Sequence, residues 1–122
     1  YRWHVRAWCE KNRSYRDFVL SRFRGEAERL DSSEFGEEQD SDWQRFVELV
    51  ITPDPRLSPA QQEVIAHDYG MQAGKLCLNT RATLVNYQLR LLQLDPVNPQ
   101  DNPLAQQIVL ENHEALVPWL LP

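Results

Sequence analysis

Two short runs near the head of the chain carry the residue types best suited to gripping an anion. The first is Tyr1-Arg2-Trp3-His4-Val5-Arg6-Ala7-Trp8-Cys9, and the second is Tyr15-Arg16-Asp17-Phe18-Val19-Leu20-Ser21-Arg22-Phe23. Both interleave arginines with aromatics. A guanidinium forks onto a phosphate or carboxylate through two parallel hydrogen bonds. A neighbouring aromatic ring offers a face on which a base can stack. His4, Arg6, Arg16 and Arg22 are the candidate anion contacts, with Trp8 as the stacking surface. The competing reading gives Trp3, Val5, Phe18 and Leu20 to a core and Arg22 to an ion pair with a partner subunit.

The rest of the chain holds no comparable chemistry. His4, His67 and His113 are dispersed, without the HExxH or paired-cysteine spacing of a zinc site. Cys9 reads as a small buried thiol rather than a nucleophile. His67-Asp68 sits where a helix ends, a place for capping rather than catalysis. The four glycines never form a phosphate loop. The expectation is therefore a protein that is not an enzyme, with no catalytic residues, no metal and no cofactor.

Charge is unevenly spread. Residues 1–24 hold seven basic side chains against two acidic ones, whereas residues 31–50 hold seven acidic side chains against Arg45 alone. The basic end can meet an external phosphate, this chain's own acidic run, or a partner's acidic surface. Charge by itself does not choose among them. No apolar run approaches the ~20 residues needed to span a bilayer, and the first residues lack a signal-peptide core. With only Cys9 and Cys77, no disulfide framework is expected. Free thiols in a reducing cytoplasm are the reading.

The elements that must position these residues follow from periodicity. Both N-terminal runs alternate with the two-residue period of a strand, and polar Glu10–Ser14 between them reads as a hairpin turn longer than two residues. A lone hairpin is marginal in water, so the chain is expected to begin inside a sheet completed elsewhere. Residues 25–42, with Gly25, Asp31-Ser32-Ser33 and Gly36, read as an acidic linker and domain boundary. Beyond it, Phe46–Ile51 reads as a strand closed by Thr52-Pro53-Asp54-Pro55. Ser58-Pro59-Ala60-Gln61 is a capping box opening a helix that carries Val64 and Ile65 inward and stops at Gly70. Lys75–Thr80 reads as a strand. The spacing of Ala82, Val85, Leu89 and Leu92 predicts a long helix running to Leu94, with an apolar arc wide enough to need cover on two sides. Residues 96–103 form a proline-rich bridge. Ile108–Leu110 reads as a strand and Asn112 as the cap of a last short helix. The second unit is thus strand–helix–strand–helix followed by strand–helix, a small α/β sandwich in the α+β class.

Trp3-His4-Val5-Arg6-Ala7-Trp8-Cys9 followed by Arg16–Arg22 resembles the end of a WYL domain, the small SH3/Sm-like β-barrel of bacterial transcriptional regulators. Trp3-His4-Val5 stands at the name-giving tripeptide, with histidine in place of tyrosine. Downstream, Trp43, Val47–Ile51, Pro53-Asp54-Pro55, Leu57–Gln61, Asp68–Met71 and the Arg81–Leu94 segment are similar to the WCX extension that follows such domains. The combination resembles regulators that join a winged helix, a WYL domain and a WCX domain and control anti-phage defence islands. The resemblance implies three segments: the closing strands of a barrel (1–24), the acidic linker (25–42) and a WCX-like domain (43–122). It implies a homodimer whose WYL part senses a nucleic-acid or nucleotide-like effector through His4, Arg6, Trp8, Arg16 and Arg22. Operator DNA would be read by a winged helix that these residues do not include. The alternative is a purely structural dimerisation domain without a ligand.

Overall fold

The first unit is organised by strand alternation. Six-residue strands β1 (His4–Cys9) and β2 (Ser14–Val19) pair antiparallel with His4 opposite Val19, Arg6 opposite Asp17 and Trp8 opposite Tyr15. This register is that of a computed structural model, which describes residues 2–95 and 102–120. The connection is four residues long, and Arg13 closes it with a left-handed φ of 52°, a conformation suited to a loop longer than a two-residue turn. One face of the hairpin therefore presents His4, Arg6, Trp8, Tyr15, Asp17 and Val19. The other presents Val5, Ala7, Arg16 and Phe18.

The second strand stops earlier than the alternation suggested. Leu20–Arg22 form a single 3₁₀ turn, so Arg22 leaves the strand register and is exposed. The four residues read as core also behave differently. Trp3 is 85% exposed, Val5 and Leu20 are exposed, and Phe18 is half-buried. A two-stranded sheet has two faces, and in this unit the covering segment lies on the other one. That segment is the second half of the acidic stretch, with a 3₁₀ turn at Glu37–Gln39 and one turn of helix, α1 (Ser41–Gln44). The polypeptide divides into compact units at 1–44 and 45–122.

The second unit is built on β3 (Phe46–Pro53), the centre of a three-stranded antiparallel sheet in the order β4-β3-β5. Strand β4 is Leu76–Arg81 and β5 is Ile108–Leu110. Along β3, Leu49, Ile51 and Pro53 are buried while Phe46 and Glu48 are exposed, the half-buried alternation of an antiparallel sheet. Helices α2 (Pro59–Asp68), α3 (Val85–Leu91) and α4 (His113–Leu116) complete the α+β fold in the predicted order. Leu49, Ile51, Ile65, Val85, Leu89, Ile108 and Leu116 form the core. Each such side chain contributes about 1.5–3 kcal/mol through burial.

Helix α2 begins as predicted. Ser58 Oγ accepts from the Gln61 amide at 3.2 Å, and Gln61 Oε1 accepts from the Ser58 amide at 2.9 Å. It ends at Gly70 with φ 64°. Its apolar stripe is narrower than expected: Ile65 is buried but Val64 is 58% exposed. Successive helical residues point about 100° apart, so a helix presenting one stripe to a sheet cannot bury both. Helix α3 is shorter than the pattern suggested. Ala82–Leu84 form a 3₁₀ turn and the helix closes by Leu91. Gln93 takes a left-handed φ of 57°, with Leu94 N–H donating to Leu89 O and Gln93 N–H to Arg90 O. This is a Schellman closure built without glycine. Most of the proline-rich bridge, residues 96–101, lies outside the described residues.

Asn112 does more than flank α4, and its side chain makes no capping bond to that helix. Its Oδ1 accepts from the Val50 amide at 3.0 Å and its Nδ2 donates to Glu48 O at 2.7 Å. The side-chain amide thus continues the β3–β5 ladder one step past Glu111, whose N–H donates to Val50 O. Asp54 is a second unforeseen organiser. Buried after β3, it accepts from the Arg56 amide at 2.9 Å and pairs with the Arg56 guanidinium at 2.7 Å, fixing the Pro53-Asp54-Pro55 turn.

Candidate functional site

Strand alternation and register place three of the five candidate residues together. His4, Arg6 and Trp8 are alternate residues of β1 and share one face with Tyr15 and Asp17 of β2. Arg16 pairs with Ala7 on the opposite face, where its Nε donates to Ser14 Oγ at 3.3 Å. Arg22 sits in the 3₁₀ turn beyond the strand. The five do not form one cluster.

Arg6 has partners inside the unit. Its Nε and Nη2 donate to both oxygens of Asp40, the second bond at 3.0 Å, and its Nη1 lies 3.5 Å from Asp17. Asp40 is only 3% exposed and also opens helix α1, accepting from the Trp43 amide at 3.2 Å. Burial pushes the Asp40 carboxyl up. The Arg6 guanidinium and the Trp43 N–H outweigh burial and hold it below the ordinary carboxylate range. The Arg6 guanidinium is raised, first by its hydrogen bond to Asp40, with burial opposing. Of the partners that charge left open, this arginine takes the chain's own acidic run.

An aromatic layer sits beside the ion pair. Phe35 stacks on Trp8 with ring centroids 4.1 Å apart and planes 22° from parallel, and Tyr15 meets Trp8 edge-on at 5.1 Å. The Arg13 guanidinium lies 5.5 Å from the Trp8 ring and 5.8 Å from Phe35, within cation–π range. Tyr15 Oη donates to Gly36 O at 2.7 Å. Burial raises the Tyr15 phenol, reinforced by Asp40 and opposed by Arg6. Trp8 Nε1 is buried and has no hydrogen-bond partner among the described residues. Arg6, Trp8, Tyr15, Phe35, Asp40 and Trp43 line an open cavity of about 530 Å³.

Tyr15, Phe35, Asp40 and Arg13 are absent from the candidate set read from sequence. Tyr15 was accessible in principle, because a hairpin register sets it opposite Trp8. Phe35 and Asp40 were not, because their path back over the sheet is tertiary. Among the described residues no group of three or more histidine, cysteine or acidic side chains is arranged to hold a metal ion. Cys9 and Cys77 are free thiols, and among the described residues no helix is long and apolar enough to cross a membrane.

In sequence a basic, aromatic hairpin precedes a small α+β unit, and comparison with known proteins gives the class, the C-terminal region of a transcriptional regulator. Residues 46–116, from the start of β3 to the end of α4, match the family described as BrxR transcriptional regulator, C-terminal dimerization domain. The chain belongs to that family. It is 34% identical over 119 residues to a protein of Stenotrophomonas maltophilia, covering 98% of this chain and 40% of that one. It is 36% identical over 116 residues to a protein of Escherichia coli (strain KTE188), covering 95% and 38%. It is 33% identical over 115 residues to a protein of Pseudomonas aeruginosa, covering 94% and 38%. All three are named DNA-binding transcriptional repressor CapW. The chain spans about two fifths of the length of these curated relatives.

Proposed function

We propose that this chain is the dimerising and effector-sensing portion of a DNA-binding transcriptional repressor of the bacterial cytoplasm. The second unit, WCX-like in its motifs, joins two copies into a homodimer. The observation that carries this is the coincidence of the dimerization-family match, residues 46–116, with the unit spanning 45–122. That unit has a complete core yet leaves Phe46, Val64, Leu91, Leu104 and Val117 more than half exposed, apolar surface that a second copy can cover. Sedimentation equilibrium at micromolar concentration is expected to return twice the mass of one chain. A clean monomer overturns the reading.

The hairpin, as the closing part of a WYL-like barrel, provides the sensing face. Its ligand is a nucleic acid or nucleotide, gripped by arginine and stacked on Trp8. Operator DNA is read through a winged helix outside these residues, and the resemblance to regulators of anti-phage defence supplies the biological setting. No catalysis is assigned. One observation favours the ligand-free alternative, a purely structural dimerisation domain: Arg6 is already paired with Asp40 and Asp17. Charge reversal at Arg6, Arg16 and Arg22 separates the two. Loss of oligonucleotide binding with folding intact supports sensing, whereas unchanged binding supports the structural domain.

A further inference from the structure

Residues 35–40 occupy the hairpin face with the chemistry of a nucleotide. The Asp40 carboxylate takes the Arg6 fork through both oxygens, the geometry in which arginine grips a phosphate. The Phe35 ring lies on Trp8 at 4.1 Å and 22°, the geometry of a base on an aromatic platform. Gly36, between them in sequence, is held by Tyr15 Oη at 2.7 Å. The substitution is incomplete. Trp8 Nε1 is buried without an acceptor among the described residues, and a cavity of about 530 Å³ remains beside the ion pair. A ligand with one more acceptor than the segment would meet that donor.

We infer that residues 35–40 are an internal pseudo-ligand: Asp40 stands in for a phosphate on Arg6 and Phe35 for a base on Trp8, and a nucleotide-like effector binds by displacing them. This rests on the reading of the hairpin as an effector face, and it adds how that face is regulated. Apparent affinity is the intrinsic affinity multiplied by the fraction of molecules in which the segment is released. Release of the segment is the change that ligand binding would transmit, because the same Asp40 that pairs with Arg6 also opens α1 at the Trp43 amide.

The test uses the 122-residue chain and, as probe, a 5′-phosphorylated tetrathymidylate labelled with fluorescein at its 3′ end, followed by fluorescence anisotropy. Asp40→Asn keeps an oxygen to cap α1 but removes the charge from Arg6. Phe35→Ala leaves the ion pair and removes the stacked ring, so the two variants test the subsites separately. Circular dichroism confirms that both are folded. Each variant is expected to bind the probe about tenfold more tightly than the wild type, with binding lost when Arg6→Gln is added. Saturating probe is expected to speed amide exchange over residues 35–40 in the wild type. Equal binding by wild type and both variants, still dependent on Arg6, leaves the effector face standing and overturns the pseudo-ligand. Slower exchange over 35–40 on binding overturns it as well. No binding by any variant overturns the effector reading itself, and this inference with it.

Discussion

Asp40 links two parts of the first unit that are far apart in sequence, and its ionisation sets how firmly they hold together. Its carboxyl lies below the ordinary range in the folded chain. Its contribution is therefore present above the unfolded value of about 4 and is lost as pH falls through the lower folded value. Acidification is expected to release residues 35–40 from the hairpin, which Trp8 fluorescence would report through loss of the Phe35 stack. Arg6→Ala leaves the buried carboxylate without its guanidinium and is expected to weaken the attachment by about 3 kcal/mol, read as faster amide exchange over residues 35–44. Asn112 is the corresponding residue of the second unit. Asn112→Ala removes two hydrogen bonds to β3 and is expected to cost about 1–3 kcal/mol in urea unfolding. Asn112→Asp keeps the acceptor but turns a carboxylate on the Glu48 carbonyl, so it is expected to be no better tolerated at neutral pH.

Helices α2 and α3 end through the same Schellman closure, with Gly70 at the left-handed position of one and Gln93 at that of the other. The two demand opposite substitutions. Gly70→Ala is expected to destabilise by about 1 kcal/mol, because an alanine carries the Cβ penalty of that region. Gln93→Gly is expected to stabilise by about 0.5 kcal/mol, the relief of that penalty being partly offset by the entropy of an added glycine. Thermal unfolding of the two variants checks both signs. The contrast also explains why one helix end was legible and the other was not. Glycine is a visible stop, whereas Gln93 closes its helix only because Leu94 is drawn back against the core and returns its N–H to Leu89.

At the scale of the whole molecule the two units differ in what holds them. The fully buried apolar side chains belong to the second unit. Leu49→Ala, at the centre of β3 with no exposure, is expected to cost about 3–4 kcal/mol and to lower the unfolding midpoint of residues 45–122. In the first unit the one buried residue among those described is Asp40, so ion pairing and ring stacking take the place of a hydrophobic core. The Arg6–Asp40 pair is largely buried, so salt screens it less than it would a surface pair.

The order of strands and helices beyond residue 45, the capping box at Ser58 and the glycine stop at Gly70 were all legible in the sequence. Each depends on neighbours within a few positions, where periodicity and capping chemistry act. The burial of one α2 stripe, the role of Asn112 and the partner of Arg6 were not. Composition showed a basic end and an acidic run but left open whether they meet, since Coulomb attraction is long-ranged and carries no address. The tertiary path of residues 33–43 decided it. By bringing Phe35 and Asp40 over the His4–Arg6–Trp8 face, it gave that arginine a partner within its own chain.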